Sequence, residues 1–169
     1  MKDKVLLIEP EKCTGCRKCE IVCSAFHTNT VDPSRSRIKI MKWDNVGFYL
    51  PMTCQFCEKP FCTEVCPAKA CHRDLKTYRV IIDKNKCIGC KTCIIACPFG
   101  HPFFDTIERV SIKCDMCGGD PQCVTCCETK AIAYVDVDEV GINRRLELSL
   151  KVLRWSPKFG QVVRSCVSS

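Results

Sequence analysis

The apolar residues of this 169-residue chain fall in short clusters, not in long periodic runs. Residues 37–41 and 80–83 alternate or bunch β-branched side chains, and residues 131–137 do the same, which predicts three short strands. Ile94, Ile95 and Ala96 fit one or two helical turns. Pro98 closes them, because proline disfavours helical backbone in the residue before it and lacks the N–H a helix needs. The pattern predicts an α+β weave of short strands and short helices. Near the start, the apolar run of residues 5–8 is flanked by Asp3 and Glu9 and is too short for the apolar region of a secretory signal. No segment approaches the roughly 18–20 apolar residues of a membrane span, so the chain is expected to be cytoplasmic.

Composition changes this picture through one residue type. The chain has 19 cysteines, about one residue in nine, and they are counted in its 46% apolar content. Without them the aliphatic core is thin, and a chain with so little apolar surface to bury cannot offset its conformational entropy. Cross-links or a metal cofactor must then be part of the fold. A short chain this rich in cysteine is either a secreted disulfide scaffold or a metal-cofactor protein. The missing secretory pattern and the odd count, which would leave one thiol unpaired, both favour metal.

The cysteines fall in four runs: Cys13, Cys16, Cys19 and Cys23; Cys54, Cys57, Cys62 and Cys66; Cys87, Cys90, Cys93 and Cys97; and Cys114, Cys117, Cys123 and Cys127. Cys71, Cys126 and Cys166 stand outside them. The first and third runs have the spacing Cys-x2-Cys-x2-Cys-x3-Cys, the bacterial ferredoxin pattern, in which three thiolates on one loop bind one 4Fe-4S cubane and the fourth reaches another. A zinc site of two Cys-x2-Cys pairs would leave the third cysteine of each run surplus. Gly15 and Gly89 precede the second cysteines, where a residue without Cβ lets the loop turn at positive φ and lets backbone N–H groups approach cluster sulfurs. Ile21, Ile88 and Ile94 are candidates for shielding a cubane from water. The expected cofactors are four 4Fe-4S clusters, with all sixteen cysteines of the runs as iron ligands.

These cofactors reverse the meaning of the charge. The formal charge of +7 would be met by roughly −8 from four oxidised cubanes with their thiolates, so the basic side chains read as a counterweight and not as a nucleic-acid surface. No phosphate loop, Ser/His/Asp order or paired-carboxylate constellation is present, and the chain is expected to be non-catalytic by itself. His27, His72 and His101 read as surface or loop histidines. Trp43, Trp155, Phe103 and Phe104 read equally as partner anchors or as cover for core and cofactor. Arg35 and Arg37 read as a solvated hairpin or as residues that steer an acidic partner. Cys71 and Cys126 read as apolar core thiols or as substitute ligands.

On these motifs the chain resembles the four-cluster ferredoxin-like electron-transfer subunits of multi-subunit oxidoreductases, the dimethyl-sulfoxide-reductase iron–sulfur subunit type. The likeness runs from residue 5 to about 138. The stretches 33–38, 54–58 and 113–124 look most like small subunits partnered with tungsten enzymes of the aldehyde oxidoreductase family, such as class II benzoyl-CoA reductase. Ser24 and Glu128 depart from the pattern, standing where many ferredoxin runs have the proline that Pro67 and Pro98 keep.

The resemblance implies tandem or nested dicluster modules: an inner one over about 50–100, an outer one from 5–49 and 101–140, and a C-terminal extension over 141–169. Nesting would place Cys54, Cys57, Cys62 and Cys97 on one cubane and Cys87, Cys90, Cys93 and Cys66 on another. The outer pair would be Cys13, Cys16, Cys19 with Cys127, and Cys114, Cys117, Cys123 with Cys23. Sequential pairing of the runs is the rival, since spacing alone does not choose.

The implied function is electron transfer between a large catalytic subunit, tungstopterin-containing on this reading, and an external donor or acceptor, with a further redox subunit as a second partner. The iron–sulfur subunit of a carbon monoxide dehydrogenase, hydrogenase or molybdopterin enzyme, a free polyferredoxin and a redox sensor are the alternatives. The extension carries six basic side chains against the single acid Glu147. Alternation of Leu146, Leu148, Leu150 and Val152 in it suits an amphipathic strand that docks on a partner or covers the outer clusters.

Overall fold

The computed structural model describes residues 4–75, 77, 79–138, 140–142, 145, 146 and 149. Its elements are short, as the clustered pattern predicts. The strands are β1 (Lys4–Ile8), β2 (Lys39–Trp43), β3 (Phe48–Met52), β4 (Cys71–Arg73), β5 (Val80–Ile82), β6 (Phe103–Asp105), β7 (Val110–Ile112) and β8 (Ile132–Asp136). The α-helices are α1 (Lys18–Thr28), α2 (Phe61–Glu64), α3 (Thr92–Ile95) and α4 (Gln122–Thr125). The fold class is α+β and ferredoxin-like. The chain forms two compact units, residues 8–132 and, apart from them, residues 4–7 with the described residues from 133 onward.

Within residues 8–132 one plan repeats. In the first three runs a loop carries the first two cysteines, a helix carries the third in its first turn, and an antiparallel hairpin leads to the next run; in the fourth, Cys117 lies in a 3-10 turn (Met116–Gly119) and α4 carries Cys123. The hairpins are β2–β3, with Lys39 opposite Met52 and Trp43 opposite Phe48; β4–β5, with Cys71 opposite Ile82; and β6–β7, with Phe103 opposite Ile112. Helices α2, α3 and α4 have one turn each, whereas α1 runs for eleven residues. Ser24 permits the longer helix, although lacking proline is not enough by itself, since α4 ends at Thr125 with Glu128 after its fourth cysteine. In the second and third runs proline follows the fourth cysteine and bars helix at that point. Here Ser24 lets the helix continue, and its buried Oγ donates to Ile21 O at 2.8 Å and accepts from Asp32 N at 3.2 Å.

The buried apolar set is small, with Ile38, Val80, Val110, Ile112, Met116 and Ile132 as its larger members, and it is shared with Cys19, Cys23, Cys71, Cys93 and Cys123. Charged groups are buried among them, with partners that offset their desolvation. Glu20 accepts from Arg17 Nε at 2.5 Å and from Ile40 N at 2.7 Å. Arg35 lies 2.7 Å from both Asp105 and Glu108, and Arg37 lies 2.6 Å from Asp115. The side chains of Arg35 and Arg37 are only 11% and 10% exposed, so neither belongs to a solvated hairpin nor is free to steer a partner. Their place in the sequence, a polar stretch beside a strand, carries no sign of these acids 70 or more residues away.

Strand β1 pairs with β8, and Lys4 Nζ lies 5.6 Å from the centre of the Tyr134 ring. The described residues from 137 onward are helical, and Ser149 Oγ donates to Arg145 O at 2.7 Å. Leu146 is therefore on helical backbone, not on the strand expected there. Leu148, Leu150, Val152, Trp155 and Cys166 lie outside the described residues.

Candidate iron–sulfur centres

The four loops share a backbone signature that the sequence displays only in part. The residue two after the first cysteine has positive φ in every run: Gly15 at 69°, Phe56 at 47°, Gly89 at 69° and Met116 at 56°. Lys69, Gly100 and Lys130, three residues after the fourth cysteine of the last three runs, are also left-handed. Such turns aim successive N–H groups to one side and form anion-binding concavities. Glycine meets the requirement in two loops, and Phe56 and Met116 meet it at a cost of about 1–2 kcal/mol each.

The thiols gather in sets drawn from different runs. Cys13, Cys16, Cys19 and Cys127 border one cavity, and Cys126 is a fifth thiol on its wall. Cys66, Cys87, Cys90 and Cys93 border a second, and Cys71 is on its wall. Burial raises the pKa of Cys114, Cys117 and Cys123, and Cys23 lies close enough to raise each further. Cys54 and Cys62 are likewise neighbours. Cys57 and Cys97 are half-buried, and α3, which leads to Cys97, packs on α2, which carries Cys62.

The residues present fit 4Fe-4S clusters. Backbone N–H groups donate to the sulfurs of Cys23 (from Arg37, 3.3 Å), Cys66 (from Cys71, 3.4 Å), Cys87 (from Ser111, 3.4 Å) and Cys114 (from Met116, 3.4 Å), and Thr92 Oγ1 donates to Cys90 Sγ at 3.4 Å. These are the bonds a sulfur holding charge would need. Burial pushes the Cys19 thiol up to about 12 and the Cys114 thiol up to about 11. Such thiols would ionise only where a metal displaces the proton, so cluster assembly would release protons here. The candidate ligand atoms are all soft sulfur, the donor set of iron–sulfur chemistry.

Cys71 is 3% exposed and hydrogen-bonds Cys62. That contact holds the Cys62 thiol down and, together with burial, pushes the Cys71 thiol up. Lys113 is 3% exposed, donates from Nζ to Val80 O at 2.8 Å and lies 5.3 Å from the Phe56 ring centre. Against the burial of Cys54 and Cys62, its cation favours the ionised form of both.

Of the expected shields, Ile94 is half-buried, but Ile21 is 40% and Ile88 68% exposed, although Ile88 borders a cavity. Cys16 and Cys90 are themselves exposed, so each of the two cavities reaches the surface at one of these sulfurs. Trp43 is exposed and packs at 5.7 Å on Phe48, while Phe103 and Phe104 are half-buried beneath Lys39 and Lys91. His72 is half-buried, with Nδ1 3.0 Å from Ala70 O, and His101 Nε2 is buried.

His27 departs from the surface placement expected of it. Its side chain is 10% exposed, and Nε2 lies 3.6 Å from Cys117 Sγ and 3.5 Å from Asp115 Oδ1. Burial pushes its pKa down to about 4, with Arg37 acting in the same sense. A signal was present in the sequence: His27 follows Cys23 by four residues, the spacing of one helix face, once Ser24 allows the helix to run on.

Residues 45–137 match the family of 4Fe-4S dicluster domains, and residues 10–26 match that of 4Fe-4S binding domains. The chain is 39% identical to the polyferredoxin-like subunit of the aliphatic sulfonate oxidoreductase of Pyrococcus furiosus, over 72% of this chain and 70% of that one. It is 32% identical to the B subunit of the anaerobic dimethyl sulfoxide reductase of Escherichia coli, over 79% of this chain and 73% of that one. A solved structure of the BamBC active-site complex of benzoyl coenzyme A reductase aligns with 98% of this chain and 97% of its own, at 24% identity and a TM-score of 0.48. The repeated cysteine loops and these relatives together place the chain in the 4Fe-4S dicluster family, among the ferredoxin-like iron–sulfur subunits of the dimethyl sulfoxide reductase type.

Proposed function

We propose that the chain is the electron-transfer subunit of a multi-subunit oxidoreductase, carrying four 4Fe-4S clusters on the sixteen cysteines of its four runs, in the nested grouping. The observation that carries this reading is the sharing of cavities and contacts between distant runs: Cys127 with the first run, Cys66 with the third, and Cys23 with the fourth. Sequential pairing would instead join the first run to the second and the third to the fourth. Each cluster when bound supplies a one-electron couple, and the protein supplies position, burial and hydrogen bonds. The chain holds the sulfurs, keeps Cys19, Cys93 and Cys123 out of water, and leaves Cys16 and Cys90 at the surface, where electrons enter or leave.

The catalytic partner on this reading is a tungstopterin-type large subunit. Support comes from the stretches 33–38, 54–58 and 113–124 that resemble small subunits of that branch, and catalysis belongs to that partner. Anaerobic analysis of the full chain should find about sixteen irons and as many sulfides. Cys90→Ser should interrupt electron flow in the purified complex, and the activity should return when a mediator dye reaches the partner directly. A count near eight, or a variant complex that assembles but stays inactive with the mediator, would overturn the reading.

A further inference from the structure

Arg37, Asp115 and His27 form a small, mostly buried network against two sulfurs that come from different runs. The side chains of His27 and Arg37 are each 10% exposed, and that of Asp115 is 33% exposed. Arg37 Nη1 lies 2.6 Å from Asp115 Oδ2, and the Arg37 backbone N–H donates to Cys23 Sγ at 3.3 Å. Asp115 Oδ1 accepts from the Cys117 backbone N–H at 3.0 Å and also lies 3.5 Å from His27 Nε2. His27 Nε2 is 3.6 Å from Cys117 Sγ. Both neighbours of Nε2, a carboxylate oxygen and a sulfur that is a thiolate when it holds iron, only accept hydrogen bonds, so the imidazole proton resides on Nε2. The network thus presents a backbone N–H to Cys23 and a ring N–H to Cys117, and the Arg37–Asp115 pair fixes both.

We propose that His27 is a positioning residue for the cluster of Cys23, Cys114, Cys117 and Cys123, donating Nε2–H to the Cys117 sulfur and thereby setting that cluster's reduction potential above what the four thiolates alone would give. The inference rests on the ligand grouping proposed above. On reduction the cluster takes one electron from an external donor, with no bond made or broken, and its negative charge rises by one. A hydrogen bond aimed at a ligand sulfur favours that more negative state, so it raises the potential. Among the described residues no other histidine is placed against a cysteine sulfur, so the other three clusters should be indifferent to the change.

The test is an EPR-monitored titration, with dithionite as reductant, of the full-length chain loaded anaerobically with iron and sulfide. In His27→Leu the iron content should be unchanged and one cluster should move to a more negative potential while the others stay in place. His27→Gln, whose amide can donate, should return that cluster toward the wild-type value. Unchanged potentials in His27→Leu would overturn the proposal, and so would the loss of about four irons from both variants, which would make His27 an iron ligand. In the unaltered chain labelled with 15N-histidine, pulsed EPR should detect one weakly coupled nitrogen at that cluster; a strongly coupled nitrogen, or none, counts against the hydrogen bond even where a variant misfolds. Cys114→Ala checks the ligand assignment separately. If it retains every iron, that assignment fails, whatever His27 does.

Discussion

At the scale of the residue, Gly15 and Gly89 have the same φ but different neighbours, and the difference predicts unequal tolerance. A Cβ at Gly89 would lie 2.7 Å from the backbone oxygen of Arg109, which cannot move without moving the β6–β7 hairpin. A Cβ at Gly15 would meet Tyr49 at Cδ1 (2.6 Å) and Cγ (2.8 Å), so the whole Tyr49 side chain, but no backbone atom, must shift. Gly89→Ala should therefore lose the irons of its cluster on anaerobic analysis. Gly15→Ala should keep its irons and show, in denaturant unfolding, the left-handed penalty of about 1–2 kcal/mol together with the cost of moving Tyr49. Lys113 gives a second prediction. Its buried cation beside Cys54 and Cys62 favours thiolate and, by the same sign, the reduced cluster, so Lys113→Met should lower one cluster potential in a redox titration without reducing the iron count.

At the scale of the element, α1 is the helix on which the departure from the ferredoxin pattern acts. Proline at position 24 would restore the pattern yet remove a helix N–H and push its ring into the preceding turn, in the middle of Lys18–Thr28. Ser24→Pro should destabilise the loaded chain by about 3 kcal/mol and displace His27, which stands one turn beyond Cys23. Guanidinium unfolding followed by cluster absorbance would measure the first effect. The β6–β7 hairpin depends on Arg35 in a similar way, because Asp105 at its end is buried and takes its charge balance from that guanidinium. Arg35→Leu should cost on the order of 3 kcal/mol by leaving Asp105 without its cation, read as an earlier unfolding midpoint.

At the scale of the whole molecule, the clusters are expected to belong to the stability of the protein. The buried set of residues 8–132 counts cysteines among its members, and the thiols that burial pushes up would sit protonated around cavities if the metal were removed. Chelation under reducing conditions should therefore abolish the thermal transition, and a sharp transition in the metal-free chain would contradict this. The extension over 141–169 is proposed as the segment that docks on the catalytic subunit, on the strength of its six basic side chains and its leucines. Truncation after Gly141 should abolish co-purification with all irons kept. Loss of iron with the complex still formed would instead make it a cover for the outer clusters. Among the described residues, no helix is long and apolar enough to cross a membrane.

What is local could be read directly along the chain. Ligands of one run stand three to six residues apart, so the loop that holds them is set by its own spacing, and cofactor type, the one-turn helix before Pro98, and the glycine turns at 15 and 89 could all be read there. Strands β2, β5 and β8 were legible within two residues for the same reason, as β-branched clusters between turn signals. The tertiary structure alone decided what depends on distant partners. That Cys127 borders the cavity of Cys13, that Arg35 meets Asp105, and that Cys71 lies against Cys62 follow from how the chain folds back on itself, which no spacing encodes. Phe56 and Met116 adopt the left-handed turn because the loop they close demands it, against their own preference, and a preference overridden by context leaves no mark in the sequence. His27 combines the two cases: its helical register with Cys23 was written locally, but the Cys117 sulfur it meets comes from 90 residues away.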